Sequence, residues 1–177
     1  MTHAVTIGAS PVHVWPWLTQ IGQGRAGLYS YDKLENLFGC RLHSAERVVH
    51  DLQHIGVGDE VRLVPADYRA PLRFEVATVE SERTLVLKAP GTREQAFEQG
   101  FPYCSWAFVL KEAEGGATRL LSRWRSDFEP GLVAELRDKW GLEVVHFLME
   151  RKMLLGIKAR AERTTAPESV AVEGTAA

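Results

Sequence analysis

Trp15 to Gly39 reads WPWLTQIGQGRAGLYSYDKLENLFG. It sets a glycine-rich loop between two short helix patterns. Ser10-Pro11 starts the first helix, with Ser as cap and Pro at the first helical position. Val14, Trp15 and Leu18 share a face there, and Pro16 keeps the helix short or kinked. Ser30 is placed to cap the second helix. Tyr31, Leu34, Leu37 and Phe38 form its stripe, and Gly39 ends it. The loop between them, Gly22-Gln-Gly-Arg-Ala-Gly27, matches G-x-G-x-x-G. A dinucleotide loop must follow a buried strand and open a crossover helix. Here the preceding residues are VWPWLTQI, and Pro16 argues against a central strand. The loop is therefore expected to bind no nucleotide and to shape the entrance of a cavity.

Outward from this stretch the period changes to two. His3 to Ile7 reads as a strand. Asp59–Leu63, Leu72–Val79, Thr84–Lys88, Tyr103–Lys111 and Arg119–Arg125 alternate apolar and polar residues. Such alternation marks an antiparallel sheet with one buried side. Cys104, Trp106, Phe108 and Leu110 share one face. Arg119, Arg123 and Arg125 share a face that is expected to be solvated. Glu114-Gly115-Gly116 is a hairpin turn. A long helix follows, roughly Leu142 to Glu162, with Val145, Leu148, Lys152 and Leu155 near one line and Val144, Met149 and Met153 beside it. Its basic end carries Arg151, Lys152, Lys158, Arg160 and Arg163, which complement the helix dipole. A membrane-surface helix is a sharper reading of that charge. Docking against the sheet accounts for the apolar residues without a bilayer. Residues 164–177 have no apolar period and read as a disordered tail, leaving one domain over 1–163.

The 177 residues suffice for a sizeable core. The formal charge of −2 gives no field that favours nucleic acid. The first residues, MTHAVTIGASP, show no targeting pattern, and no apolar run reaches the ~20 residues of a membrane span. The two cysteines, Cys40 and Cys104, are far apart and form no C-x-x-C. Free thiols in a reducing cytoplasm are expected. Oligomeric state is left open.

The order of strand, two short helices, antiparallel strands and a long helix is α+β and of the helix-grip kind. The chain resembles the START-like (SRPBCC) superfamily, which includes polyketide cyclase/dehydratase-like proteins. The resemblance rests on Ala9-Ser10-Pro11 leading into Val14 to Leu18, on Gly22 to Asp32, on Thr118 to Leu121, and on Met149 to Met153. It covers roughly residues 3 to 163 and is nearest to a bacterial branch of the superfamily. It implies the fold, a curved sheet around the terminal helix, and an apolar cavity. It implies no catalytic residue.

Candidate site residues follow from that geometry. Trp17, Tyr29, Tyr31, Phe74, Trp106, Phe108, Trp124 and Phe147 are aromatics expected on the concave side. Each alone reads as core, but together they exceed what closing a small core requires. Mostly apolar walls with a few polar groups are what ligand sites are made of. Asp32, Glu35 and Glu150 border the expected cavity, and a carboxylate in an apolar pocket is able to move protons. The plainer reading is an ion pair of Arg25 with Asp32 or Glu150 that fixes the loop. His43, His50 and His54 lack the Glu of a zinc helix and read as solvated loop histidines, so no metal is expected. Cys104 reads as a buried, inert thiol. No cofactor is expected. The expected function is binding or carriage of a small, largely apolar molecule. A cyclase/dehydratase-type enzyme and a ligand-free interaction module are the alternatives.

Overall fold

The computed structural model describes residues 1–68, 72–98, 103–127 and 140–165, with side chains from His146 onward in the last segment. The elements are β1 (Thr2–Ile7), α1 (Pro11–Thr19), α2 (Asp32–Leu37), β2 (Glu60–Arg62), β3 (Arg73–Glu80), β4 (Thr84–Lys88), α3 (Arg93–Glu98), β5 (Tyr103–Glu112), β6 (Thr118–Asp127) and α4 (Trp140–Thr165). The strands form one antiparallel sheet in the order β1-β6-β5-β4-β3-β2. Expected and observed strands agree within two residues, because period-two alternation survives wherever one face is buried. The short helix α3 adds to the elements expected from sequence.

Alternation places Phe74, Val76, Leu85, Leu87, Cys104, Trp106, Phe108, Leu110 and Leu120 in the core. Arg119, Arg123 and Arg125 lie exposed on the other face. Arg119 and Arg123 donate to Thr6 Oγ1 and Thr2 Oγ1 across the β1–β6 pair. Gly115 and Gly116 take positive φ in the turn between β5 and β6.

α4 covers the core face. The residues it buries are Glu150, Met153, Leu154, Gly156, Ile157 and Ala161. Leu148 and Leu155, on the line singled out from sequence, are 46% and 39% exposed instead. The buried face is selected by the approach at Gly156. A Cβ there would lie 2.4 Å from the Tyr29 carbonyl oxygen, so only glycine lets α4 seat on the loop segment. Val144 and Val145 lie outside the described side chains. The helix runs three residues past its expected end at Glu162, to Thr165, so Thr164 and Thr165 of the expected tail are helical, and residues 166–177 lie outside the described residues.

The basic end of α4 is used internally. Lys158 donates to the Thr6 carbonyl at 2.8 Å, and Arg160 donates to the Ala45 carbonyl and to Glu46. Arg163 also donates to Glu46. Three of the five cations thus tie the helix to the body, which accounts for them without a bilayer. Among the described residues no helix is long and apolar enough to cross a membrane.

Candidate functional site

The sheet and α4 meet over an aromatic wall. Strand register sets it: Trp106 on β5 faces Leu87 on β4 and Trp124 on β6, and Phe108 faces Leu85 and Ser122. The Trp106 ring lies 4.7 Å from Phe108, 5.7 Å from Trp124 and 6.3 Å from Phe74. Phe74 meets Trp124 edge-on at 5.5 Å. Trp106, Phe108 and Phe74 are buried, but Trp124 is only half-buried. The His146 ring, on α4, lies 4.9 Å from Trp124.

Into this wall the fold sets a carboxylate. The Trp106 indole donates to Ser122 Oγ at 2.9 Å, and the Ser122 hydroxyl donates to Glu150 Oε1 at 2.5 Å. Glu150 Oε2 lies 3.4 Å from His3 Nε2 and 3.9 Å from His146 Nδ1. Neither Glu150 Oε2 nor His3 Nε2 has a hydrogen-bond partner among the described residues. β1, β6 and α4 all contribute, since His3 pairs with Ser122 in the β1–β6 register. Burial pushes the His146 imidazole below its ordinary value, against the opposing pull of Glu150. Burial also pushes the Cys104 thiol up to about 11, so it stays protonated near neutrality, as its inert reading requires.

The region from α1 through α2 has a different character. Gly22 and Gly27 exchange two backbone hydrogen bonds, and Gln23 N–H donates to the Arg62 carbonyl. Gly27 has φ +77°, and a Cβ there would lie 2.7 Å from the His43 carbonyl oxygen. The loop is thus a tight turn packed against its neighbours. A helix, not a strand, precedes it, and the sheet is antiparallel, so nucleotide-loop geometry is absent from the described residues. Arg25 corrects the ion-pair expectation. Its guanidinium donates to the Thr19 and Leu52 carbonyls, while Asp32 accepts from the Ser44 N–H and hydroxyl. The loop carbonyls are closer partners for a planar fork of donors than either carboxylate.

The helix caps are corrected too. Ser10 Oγ pairs with His13 Nδ1 and Ser30 Oγ donates to the Met149 carbonyl, so neither side chain caps its helix. The α2 stripe faces outward. Tyr31, Leu34, Leu37 and Phe38 are exposed, and the buried residue of α2 is Glu35. Polar anchors cause this inversion: Asp32 holds Ser44, and Asn36 holds both backbone groups of Leu42. Burial, and secondarily Asp32, pushes the Glu35 carboxyl up to about 7. Both its oxygens lack partners among the described residues.

A surface cleft of about 590 Å³ lies beside α2, lined by Tyr29, Tyr31, Asp32, Lys33, Lys152 and Arg160 among others. The expected site residues therefore divide. Phe74, Trp106, Phe108, Trp124 and Glu150 come together at the wall, and Phe147 joins through His3, 5.2 Å from its ring. Tyr29, Tyr31 and Asp32 border the cleft, with Trp17 packed edge-on against Tyr29 at 5.9 Å. Arg25 joins neither group. Sequence reading missed His3 and His146. The i, i+4 spacing of His146 and Glu150 was the available signal. Among the described residues no group of three or more His, Cys, Asp or Glu side chains is arranged to hold a metal ion.

No family model matches the chain, and no curated protein matches it in sequence. Solved structures do resemble it. A norcoclaurine synthase point mutant from Thalictrum flavum, in complex with a transition-state analogue, is 14% identical with a TM-score of 0.56, covering 94% of this chain and 95% of that one. The same enzyme with dopamine and hydroxybenzaldehyde is 13% identical, with a TM-score of 0.55 and coverage of 94% and 88%. Protein MLL2253 from Mesorhizobium loti is 20% identical, with a TM-score of 0.52 and coverage of 94% and 100%. Likeness at this identity carries the fold and leaves function to the site. Element order, antiparallel sheet and covering helix, together with these neighbours, give the chain the helix-grip fold.

Proposed function

We propose that the protein binds a small, largely apolar molecule against the aromatic wall beside Trp124. The observation that carries this is the half-buried Trp124, held between Phe74, Trp106 and His146. A large aromatic side chain left partly open above a filled core offers a flat apolar face next to polar groups, the mixture that ligand sites use. Binding a flat apolar probe such as 2-tetralone should quench tryptophan fluorescence in a saturable way. Trp124→Ala should weaken that binding at least about tenfold, the loss of one apolar contact of ~1.5 kcal/mol. Saturable binding that Trp124→Ala leaves unchanged counts against this seat.

A second reading has its own observation. Leu37 and Phe38 are 78% and 66% exposed at the end of α2, beside Leu34 and Tyr31. Exposed apolar patches commonly mark protein contacts. A Leu37→Ser/Phe38→Ser variant that abolishes concentration-dependent association in light scattering supports this reading. A wild type that stays monomeric at every concentration removes self-association from it.

A further inference from the structure

His146 is an ionisable side chain that borders the Trp124 seat, its ring 4.9 Å from Trp124. Its side chain is 36% exposed, whereas the Glu150 carboxylate behind it is 2% exposed. The order of donors fixes what Glu150 can do. An indole nitrogen only donates, so Ser122 Oγ accepts from Trp106 and gives its own proton to Glu150 Oε1. That leaves Oε2 for the histidines. With Nδ1 turned toward Oε2 at 3.9 Å, His146 keeps Nε2 for a ligand. The separation is longer than a hydrogen bond, as catalytic contacts often are without a ligand. The charged groups acting on His146 come from two ends of the fold. Glu150 on α4 favours the imidazolium, while His3 on β1 and the Met1 ammonium just before it oppose it along with burial. The result is a neutral imidazole with a carboxylate at its back, which is the arrangement of a general base.

We propose that His146 is a proton-transfer residue, with Glu150 as its positioning carboxylate, acting on an apolar ligand that carries a carbonyl next to a benzylic or allylic C–H. This rests on the reading that an apolar ligand sits beside Trp124. His146 Nε2 takes the proton, the C–H bonding pair becomes the C=C of an enolate, and the carbonyl π pair moves to oxygen. The imidazolium, its Nδ1–H toward Glu150, returns the proton to the same carbon or to the conjugated one. The net reaction is exchange or isomerisation and consumes no co-reactant. A conjugated ligand is specified because two donors of this wall, the Trp106 N–H and the Ser122 hydroxyl, are already engaged. The enolate must therefore be delocalised by the ligand itself.

The test uses the full chain and 2-tetralone, whose C1 protons are both benzylic and next to the carbonyl. Proton NMR in D2O follows their exchange, and fluorescence follows binding. The wild type should speed exchange by at least about tenfold over buffer, at the modest end of general-base effects. His146→Gln should abolish the acceleration at tetralone concentrations where fluorescence shows the variant saturated. Glu150→Gln, nearly isosteric, should move the rising limb of the pH–rate profile to lower pH, because the carboxylate raises the imidazole pKa. A purely structural role for Glu150 would leave that limb in place. Thermal melting checks that each variant is folded. Tetralone that binds without accelerated exchange, or acceleration unchanged in His146→Gln, overturns the proposal and leaves the binding reading standing. Tetralone that fails to bind at millimolar concentration overturns both.

Discussion

Two regions of this molecule use polar side chains in opposite ways. Between α1 and α2 they serve mainly the chain's own backbone. Arg25 holds the Thr19 and Leu52 carbonyls, Gln20 accepts from the Val49 N–H, and Asn36 clamps Leu42. Under α4 they serve one another: Trp106, Ser122 and Glu150 form a chain of side chains that ends at two histidines. A loop outside a sheet must find partners for its backbone groups, and side chains are the nearest supply. Sheet backbone is already paired, so polar side chains buried beside it are left to pair with one another. The first region is read as scaffold, and the second is the proposed site.

The largest expected effect tests whether the wall is filled beneath Trp124. Trp106 is 5% exposed and donates to Ser122, so Trp106→Ala should cost about 3–5 kcal/mol. Trp124→Ala should cost clearly less and act on ligand affinity. Chemical denaturation of both variants makes the comparison. Equal losses would turn Trp124 into plain core and remove the seat.

Next comes the joint between the two regions. Gly156→Ala places a methyl 2.4 Å from the Tyr29 carbonyl oxygen, and Gly27→Ala places one 2.7 Å from the His43 carbonyl oxygen. Each should destabilise by about 1–3 kcal/mol despite the better helix propensity of Ala at 156. A melting temperature near wild type for Gly156→Ala would show that α4 has room for a methyl against the loop.

pH separates the buried acids of the scaffold. The Glu35 carboxyl stands at about 7 in the fold, above its ordinary 4.5. Below 4.5 both folded and unfolded chains hold the proton. Between the two values the unfolded chain releases it first, so stability falls as pH rises and levels off above about 7. Glu35→Gln should therefore match wild type at pH 4 and exceed it at pH 8 by on the order of 1–2 kcal/mol. Urea melts at the two pH values give the answer, and an equal difference at both would mean that Glu35 ionises normally.

The smallest effect is at Gly24. Its φ is +74° and a methyl added there would meet nothing within 4 Å, so only backbone strain is at stake. Gly24→Ala should cost roughly 1–2 kcal/mol or less and leave tetralone binding unchanged. A change in affinity would mean that the glycine turn borders the ligand seat.

Local physics made the fold legible in the sequence. Period-two alternation placed the strands, the Glu114-Gly-Gly turn marked the β5–β6 hairpin, Pro11 marked the start of α1 and Gly39 the end of α2. The aromatic wall was legible too, since alternation alone puts Cys104, Trp106 and Phe108 on one face. Tertiary structure decided what local pattern leaves open. It turned the apolar stripe of α2 outward, because Asp32 and Asn36 found backbone partners that held their side of the helix in. It chose the Met153–Ile157 face of α4 over the Leu148–Leu155 line, because Gly156 permits the closest approach. And it brought His3, Ser122, His146 and Glu150 together, through strand register and helix docking that link opposite ends of the chain, a span that local periodicity does not encode.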